Sequence, residues 1–130
     1  MVDIELSYKT DVHRRLCIKK DLIELSHWID VLSVISSELE QLKLIEKQLL
    51  KNSRIETNIL GLRRKNTLVM GMLCKYEQEL KIEYQYGKTE YTLTRAKLHE
   101  NKRDIHVSLI QEFNQLKKTI YSHLIKYQLK

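Results

Sequence analysis

At 130 residues, 42% hydrophobic and 31% charged, the chain is long enough for one domain with a core and too apolar for a disordered class. Two cysteines, Cys17 and Cys74, exclude a disulfide framework and a zinc set. No stretch approaches the roughly 18 uncharged apolar residues of a membrane span. The acidic start Met-Val-Asp-Ile-Glu lacks the basic segment of a secretory signal, so the expectation is a cytoplasmic protein. The formal charge of +6 is uneven: residues 1–52 carry −1, residues 53–87 carry +2 and residues 88–130 carry +5. An acidic partner, if there is one, should dock on the C-terminal third.

Proline is absent and glycine occurs three times, so almost nothing interrupts a helix. Residues 1–10 lack a helical period and read as a short lead-in, with Thr10 or Asp11 able to cap a first helix over residues 11–51. Its apolar positions run Ile18, Leu22, Leu25, Ile29, Leu32, Ile35, Leu39, Leu42, Ile45, Leu49, alternating steps of three and four. That is the spacing of a helix sharing a seam with neighbours.

The first break is marked by Ser53-Arg54-Ile55-Glu56, which matches a capping box. Asn52 before it suits the left-handed conformation that ends helices. A second helix over residues 54–86 follows, with seam positions Ile55, Ile59, Leu62, Asn66, Val69, Leu73, Tyr76, Leu80. Past Leu80 the seam slips through Tyr84, Gly87, Tyr91, Thr94, Leu98 and Ile105. The second break falls either at Gly87, giving a third helix over residues 89–128, or near residues 100–101, where Asn101 begins a weaker capping pattern. Gly87 is preferred. It gives three helices of similar length and sets Arg14, Arg15, Lys19, Lys20, Arg95 and Lys97 beside the acidic end of the second helix at Glu77, Glu79 and Glu83. The third segment continues Leu109, Phe113, Leu116, Ile120, Leu124, Tyr127.

Little in this pattern carries chemistry. Glu24-Leu25-Ser26-His27 places a carboxylate and an imidazole one turn apart, as in di-iron carboxylate bundles, but such a site needs a second copy and two further glutamates. The sequence therefore predicts no metal ligands and no cofactor. Gly61-Leu62-Arg63-Arg64-Lys65 and Gly71 form no phosphate loop. Cys74, next to the seam residue Leu73, is expected to be buried and inert, whereas Cys17 lies among Arg14, Arg15, Lys19 and Lys20.

Asn66 at a seam position reads as a register-setting residue. Lys88, Arg95 and Lys102 recur every seven residues with His99 between the last two, and Tyr84 and Tyr91 flank them. Cations and rings on one face suit nucleic acid, although Glu90, Glu100 and Asp104 interrupt the stripe. The tyrosine-rich stretch of Tyr84, Tyr86 and Tyr91 is the place for a protein partner, since tyrosine joins apolar area to a polar tip.

The sequence thus predicts one all-α domain, an elongated antiparallel three-helix bundle of coiled-coil type, without catalytic residues. The expected function is a helical interaction or scaffold module that binds a protein partner or its own copy. Leu44, Leu60, Leu68 and Leu93, off the seam, favour a homodimer. Nucleic-acid binding through the basic C-terminal third is the alternative, and a metal-binding bundle is a remote second alternative.

Overall fold

A computed structural model describes residues 2–87 and 90–128, with the side chains of residues 7–87 and 90–127. Three long helices, α1 (Val2–Ile45), α2 (Ser53–Tyr86) and α3 (Leu93–Gln128), pack against each other. Among the described residues there is no strand, and no helix is long and apolar enough to cross a membrane. Ion pairs and hydrogen bonds give the register. Along α1 and α2 the partners run in opposite directions, from Arg14 with Glu83, through Leu32 with Asn66, to Glu40 with Arg63. From α2 to α3 they do so again, in Glu83 with Arg95, Tyr76 with His99 and Lys65 with Glu112. Helices α1 and α3 consequently lie parallel, and their partners climb together, Glu24 with His99 and Arg103, Glu38 with Lys117.

The helix starts and stops differ from the sequence reading in instructive ways. Residues 2–10 are helical, so α1 begins before Thr10 and Asp11, and neither residue caps it. Asp11 instead faces along the helix to Arg14 at 2.8 Å and Arg15 at 3.2 Å, spacings of three and four that a continuous helix brings together.

Helix α1 closes through a π-helical turn, Glu46–Leu50, in which the Lys51 amide donates to the Glu46 carbonyl at 2.7 Å. Lys51, not Asn52, takes the left-handed conformation (φ 47°). Asn52 is extended and caps α2. Its side-chain oxygen accepts from the Arg54 amide at 3.0 Å and the Ile55 amide at 3.1 Å. Ser53 and Glu56 therefore form no capping box, because Asn52 already satisfies the free first-turn amides and Ser53 lies inside the helix. Helix α2 ends at Tyr86 with Gly87 as its cap, and Asn101 lies within α3. Thr92 sits before α3, its hydroxyl accepting from the Arg95 amide at 3.3 Å.

The core follows seven-residue spacing on every helix. On α1 one row is Ile18, Leu25, Leu32, Leu39 and the other is Arg14, Asp21, Trp28, Ile35, Leu42. On α2 the rows are Ile55, Leu62, Val69, Tyr76 and Ile59, Asn66, Leu73, Leu80. On α3 one row is His99, His106, Phe113, Ile120, joined by Leu109 and Leu116.

The sequence reading put Leu98 and Ile105 on this seam, and both are exposed. The histidines one residue later are inside instead. Leu49, the last seam position expected on α1, is likewise exposed in the π-helical turn. Buried Arg14, Asp21, His99 and His106 thus gather toward one end of the bundle, beside Ile18, Leu25, Leu73 and Leu80.

Candidate functional site

The polar end is built from all three helices. Asp21 and Glu24, one turn apart on α1, face His99 from α3. The His99 ring Nε2 lies 2.8 Å from Glu24 Oε1 and 3.5 Å from Asp21 Oδ1. The other ring nitrogen, Nδ1, is hydrogen-bonded to the Tyr76 hydroxyl of α2 at 2.8 Å. Trp28 stacks on the ring, centroids 4.9 Å apart at 23°, and its other neighbour in the stack is His106 at 5.6 Å. His99 is 2% exposed, so its position is fixed on both edges and one face.

Two outer contacts complete the cluster. Arg103 straddles the Glu24 carboxylate, Nε to Oε2 at 2.8 Å and Nη2 to Oε1 at 2.7 Å. The Tyr91 hydroxyl donates to Asp21 Oδ2 at 2.5 Å, tying the segment before α3 to α1.

The electrostatics follow from these contacts. The Arg103 guanidinium, helped by His99 and opposed by partial burial, holds the Glu24 carboxyl down to about 2. Burial pushes the Tyr76 phenol well above its ordinary range, with Asp21 adding to it, and the Tyr91 phenol is raised by burial and then by its bond to Asp21. Both phenols therefore stay neutral across the working pH range. Burial, and then the charge of His27, lowers the His106 imidazole below 6.5. Its Nδ1 has no hydrogen-bond partner.

The residues singled out from sequence are scattered around this cluster. Tyr84 is half-buried beneath the Arg15 guanidinium, 5.7 Å from its ring centroid. Tyr86 is 69% exposed, and Tyr91 is held by Asp21. The three tyrosines form no single patch. Two residues on a helix differ by about 200° in direction, which separates Tyr84 from Tyr86.

The basic stripe dissolves in the same way. Lys88 lies outside the described residues. Arg95 pairs with Glu83 at 3.0 Å. Lys102 sits 5.7 Å over the Tyr76 ring. His99 is inside rather than on the surface.

Glu24 and His27 do not converge, since His27 is exposed. Cys74 is partly exposed rather than buried, because it stands one residue off the Leu73 seam position. Cys17 is half-exposed, its sulfur 3.6 Å from His13 Nε2. Asn66 is buried and donates from Nδ2 to the Leu32 carbonyl at 3.2 Å, while its Oδ1 has no partner.

Sequence reasoning missed Asp21, Trp28, His106 and Arg103, and although it set Arg14 beside Glu83, where it lies, it did not place Arg14 in the interior. The signal was present as two rows of seven-residue spacing, Arg14–Asp21–Trp28–Ile35–Leu42 and His99–His106–Phe113–Ile120. Each opens with polar residues, and a search for apolar periodicity passes over them.

A second feature lies further along the same α1–α3 face, where Val31 and Glu38 follow Glu24, and Ile110 and Lys117 follow Arg103, at seven-residue steps. Between α1 and α3 runs a groove of about 400 Å³, lined by Val31, Val34 and Ile35 on one side and Ile110 and Phe113 on the other. Glu38 and Lys117 bridge it at 3.2 Å. On α1, Ile23 and Val34 are exposed, and on α3 Tyr121 and Ile125 continue the row Ile110–Asn114–Lys117 at steps of three and four.

No protein-family model matches the chain, and no curated protein or solved structure matches it either.

Proposed function

We propose that this chain is a non-catalytic helical interaction module that pairs with a second copy of itself across the α1–α3 face. The observation that carries this reading is the groove between two parallel helices, with exposed Val34 in its apolar wall, continued by exposed Ile23 at one end and Tyr121 and Ile125 at the other. A row of this kind exceeds the scattered single apolar side chains of an ordinary surface. It has the i, i+3, i+4 anchors of helix-in-groove recognition.

Charge sets how two copies would pair. Residues 1–52 carry −1 and residues 88–130 carry +5, so a two-fold pairing that lays α3 of one protomer along α1 of the other keeps the two basic helices apart. A cytoplasmic setting goes with this reading, as the two thiols, Cys17 and Cys74, are free. Of the residues named for the nucleic-acid alternative, His99 is buried, Arg95 is ion-paired with Glu83 and Lys102 lies over the Tyr76 ring, so the groove carries more weight than the stripe.

Sedimentation equilibrium of the full chain tests the reading. The wild type should sediment as a dimer, and Val34→Glu, at an exposed site that leaves the core intact, should sediment as a monomer with unchanged helicity. A wild type that stays a 15.6 kDa monomer at high concentration overturns it. So does a dimer that survives Val34→Glu together with Tyr121→Glu.

A further inference from the structure

We infer that Asp21, Glu24 and His99 form a binding site for one divalent first-row transition-metal ion of the zinc type. Three donor atoms of the right kinds converge there, one imidazole nitrogen and two carboxylate oxygens, all within 4.8 Å of one another. Zinc bonds of about 2.0–2.2 Å in a tetrahedron require donor separations of about 3.3–3.6 Å. His99 Nε2 and Asp21 Oδ1 already stand 3.5 Å apart. The 2.8 Å contact from Nε2 to Glu24 Oε1 must open by about half an ångström when the ion replaces the proton between them, and the two carboxylate oxygens, within 4.8 Å of one another, must settle into the same range.

Independent features of the surroundings point the same way. A metal-bound histidine works best when its other nitrogen is held by an outer partner, which fixes the tautomer and aims the lone pair. With the ion on Nε2 the ring proton sits on Nδ1 and donates to the Tyr76 hydroxyl oxygen 2.8 Å away, and Trp28 stacked on the ring sets the plane. Asp21 is held in turn by the Tyr91 hydroxyl. Donors come from two helices and their supports from three segments of the chain, so the geometry is fixed by the packed bundle and not by one flexible loop.

Two facts bear on access and affinity. Glu24 is 30% and Arg103 41% exposed at the rim, which leaves room for water to complete the coordination. The Arg103 guanidinium competes for Glu24 Oε1, and its charge opposes an incoming cation. Arg103 keeps a second contact, Nε to Oε2 at 2.8 Å, so it can stay on the far oxygen when the near one takes the ion. A single imidazole with two carboxylates suits zinc, cobalt or manganese better than copper(I) or an iron–sulfur cluster, which want thiolates. This site is separate from the α1–α3 groove and stands or falls without it.

The test is titration of chelator-stripped full chain with Co²⁺ and Zn²⁺, followed by calorimetry and, for cobalt, visible absorption. The expected result is one equivalent bound, with cobalt bands of a four- or five-coordinate site and displacement by zinc. His99→Asn should abolish it. Glu24→Gln, which keeps shape and hydrogen bonding, serves the same purpose should His99→Asn fail to fold by circular dichroism. Tyr76→Phe should weaken binding about tenfold or more through the loosened ring.

Arg103→Gln should strengthen binding, an effect that a purely structural ion-pair cluster would not give. Absence of stoichiometric binding overturns the inference. So does binding that persists in both His99→Asn and Glu24→Gln, which would trace it to surface histidines such as His13 and His27.

Discussion

The Tyr76 hydroxyl and His99 Nδ1 meet at 2.8 Å in the interior, joining α2 to α3 across the polar end of the bundle. Both side chains are almost fully buried. A buried ring nitrogen that loses its partner carries its full desolvation cost, whereas a made bond contributes only modestly. Tyr76→Phe should therefore destabilise the fold by about 1–3 kcal/mol, read as a lower urea midpoint with an unchanged slope. Alkaline titration of the wild type adds an independent check. Tyr76 and Tyr91 should ionise only as the helices melt, because burial raises both phenols. Ionisation of all tyrosines in the intact fold near pH 10 would contradict the burial assigned to them.

Asn66 gives the opposite expectation. It donates to the Leu32 carbonyl, but its buried Oδ1 accepts nothing. Asn66→Leu removes that unsatisfied oxygen and adds apolar volume between Ile59 and Leu73, so stability should rise by about 1 kcal/mol or more. The cost should appear in specificity. A polar residue at a seam fixes helix register and partner number. The variant should therefore show mixed association states by sedimentation velocity where the wild type shows one. A destabilised, single-species variant would deny Asn66 this role.

The three glycines separate cleanly. A Cβ at Gly61 or Gly71 would meet nothing within 4 Å, so alanine at either position should stabilise α2 by about 0.5–1 kcal/mol through reduced chain entropy. At Gly87 a Cβ would lie 2.5 Å from the Glu83 carbonyl oxygen and 2.3 Å from its carboxylate. The carboxylate can swing away, but the carbonyl accepts the Gly87 amide at 2.9 Å and closes the helix. Gly87→Ala should cost about 1–3 kcal/mol. Thermal melts of the three single variants check the contrast. Equal shifts at all three positions would show that the turn at Gly87 is looser than described.

Acid sensitivity should trace in part to His106. Its imidazole is buried against Trp28, and burial followed by the charge of His27 lowers its pKa from 6.5 in the folded chain. As pH falls below about 6.5 the unfolded chain takes up that proton more readily than the folded one, so this contribution to stability is present above that value and is lost below it. Between about pH 7.5 and 5.5 the melting temperature should fall, and His106→Phe, which keeps the ring stack, should flatten the fall. An identical slope in the variant would assign the acid loss elsewhere.

The existence of three helices and their aliphatic seams is written in the sequence, because helix period and hydrophobic burial are local properties of spacing. Ile18, Leu25, Leu32 and Leu39, the whole α2 row from Ile55 to Leu80, and Phe113 with Ile120 are all inside as their spacing requires. The turn at Gly87 was also legible, since glycine punctuates a chain that has so little of it.

The start of α3 was not. Leu98 and His99 differ by about 100° of rotation, and apolar periodicity alone turns the leucine inward. The deciding groups, Asp21, Glu24 and Tyr76, lie 23 to 78 positions away in the chain, and only packing brings them to one point. A buried imidazole is stable there because each of its nitrogens finds a partner, and no reading of neighbours along one helix can supply that information.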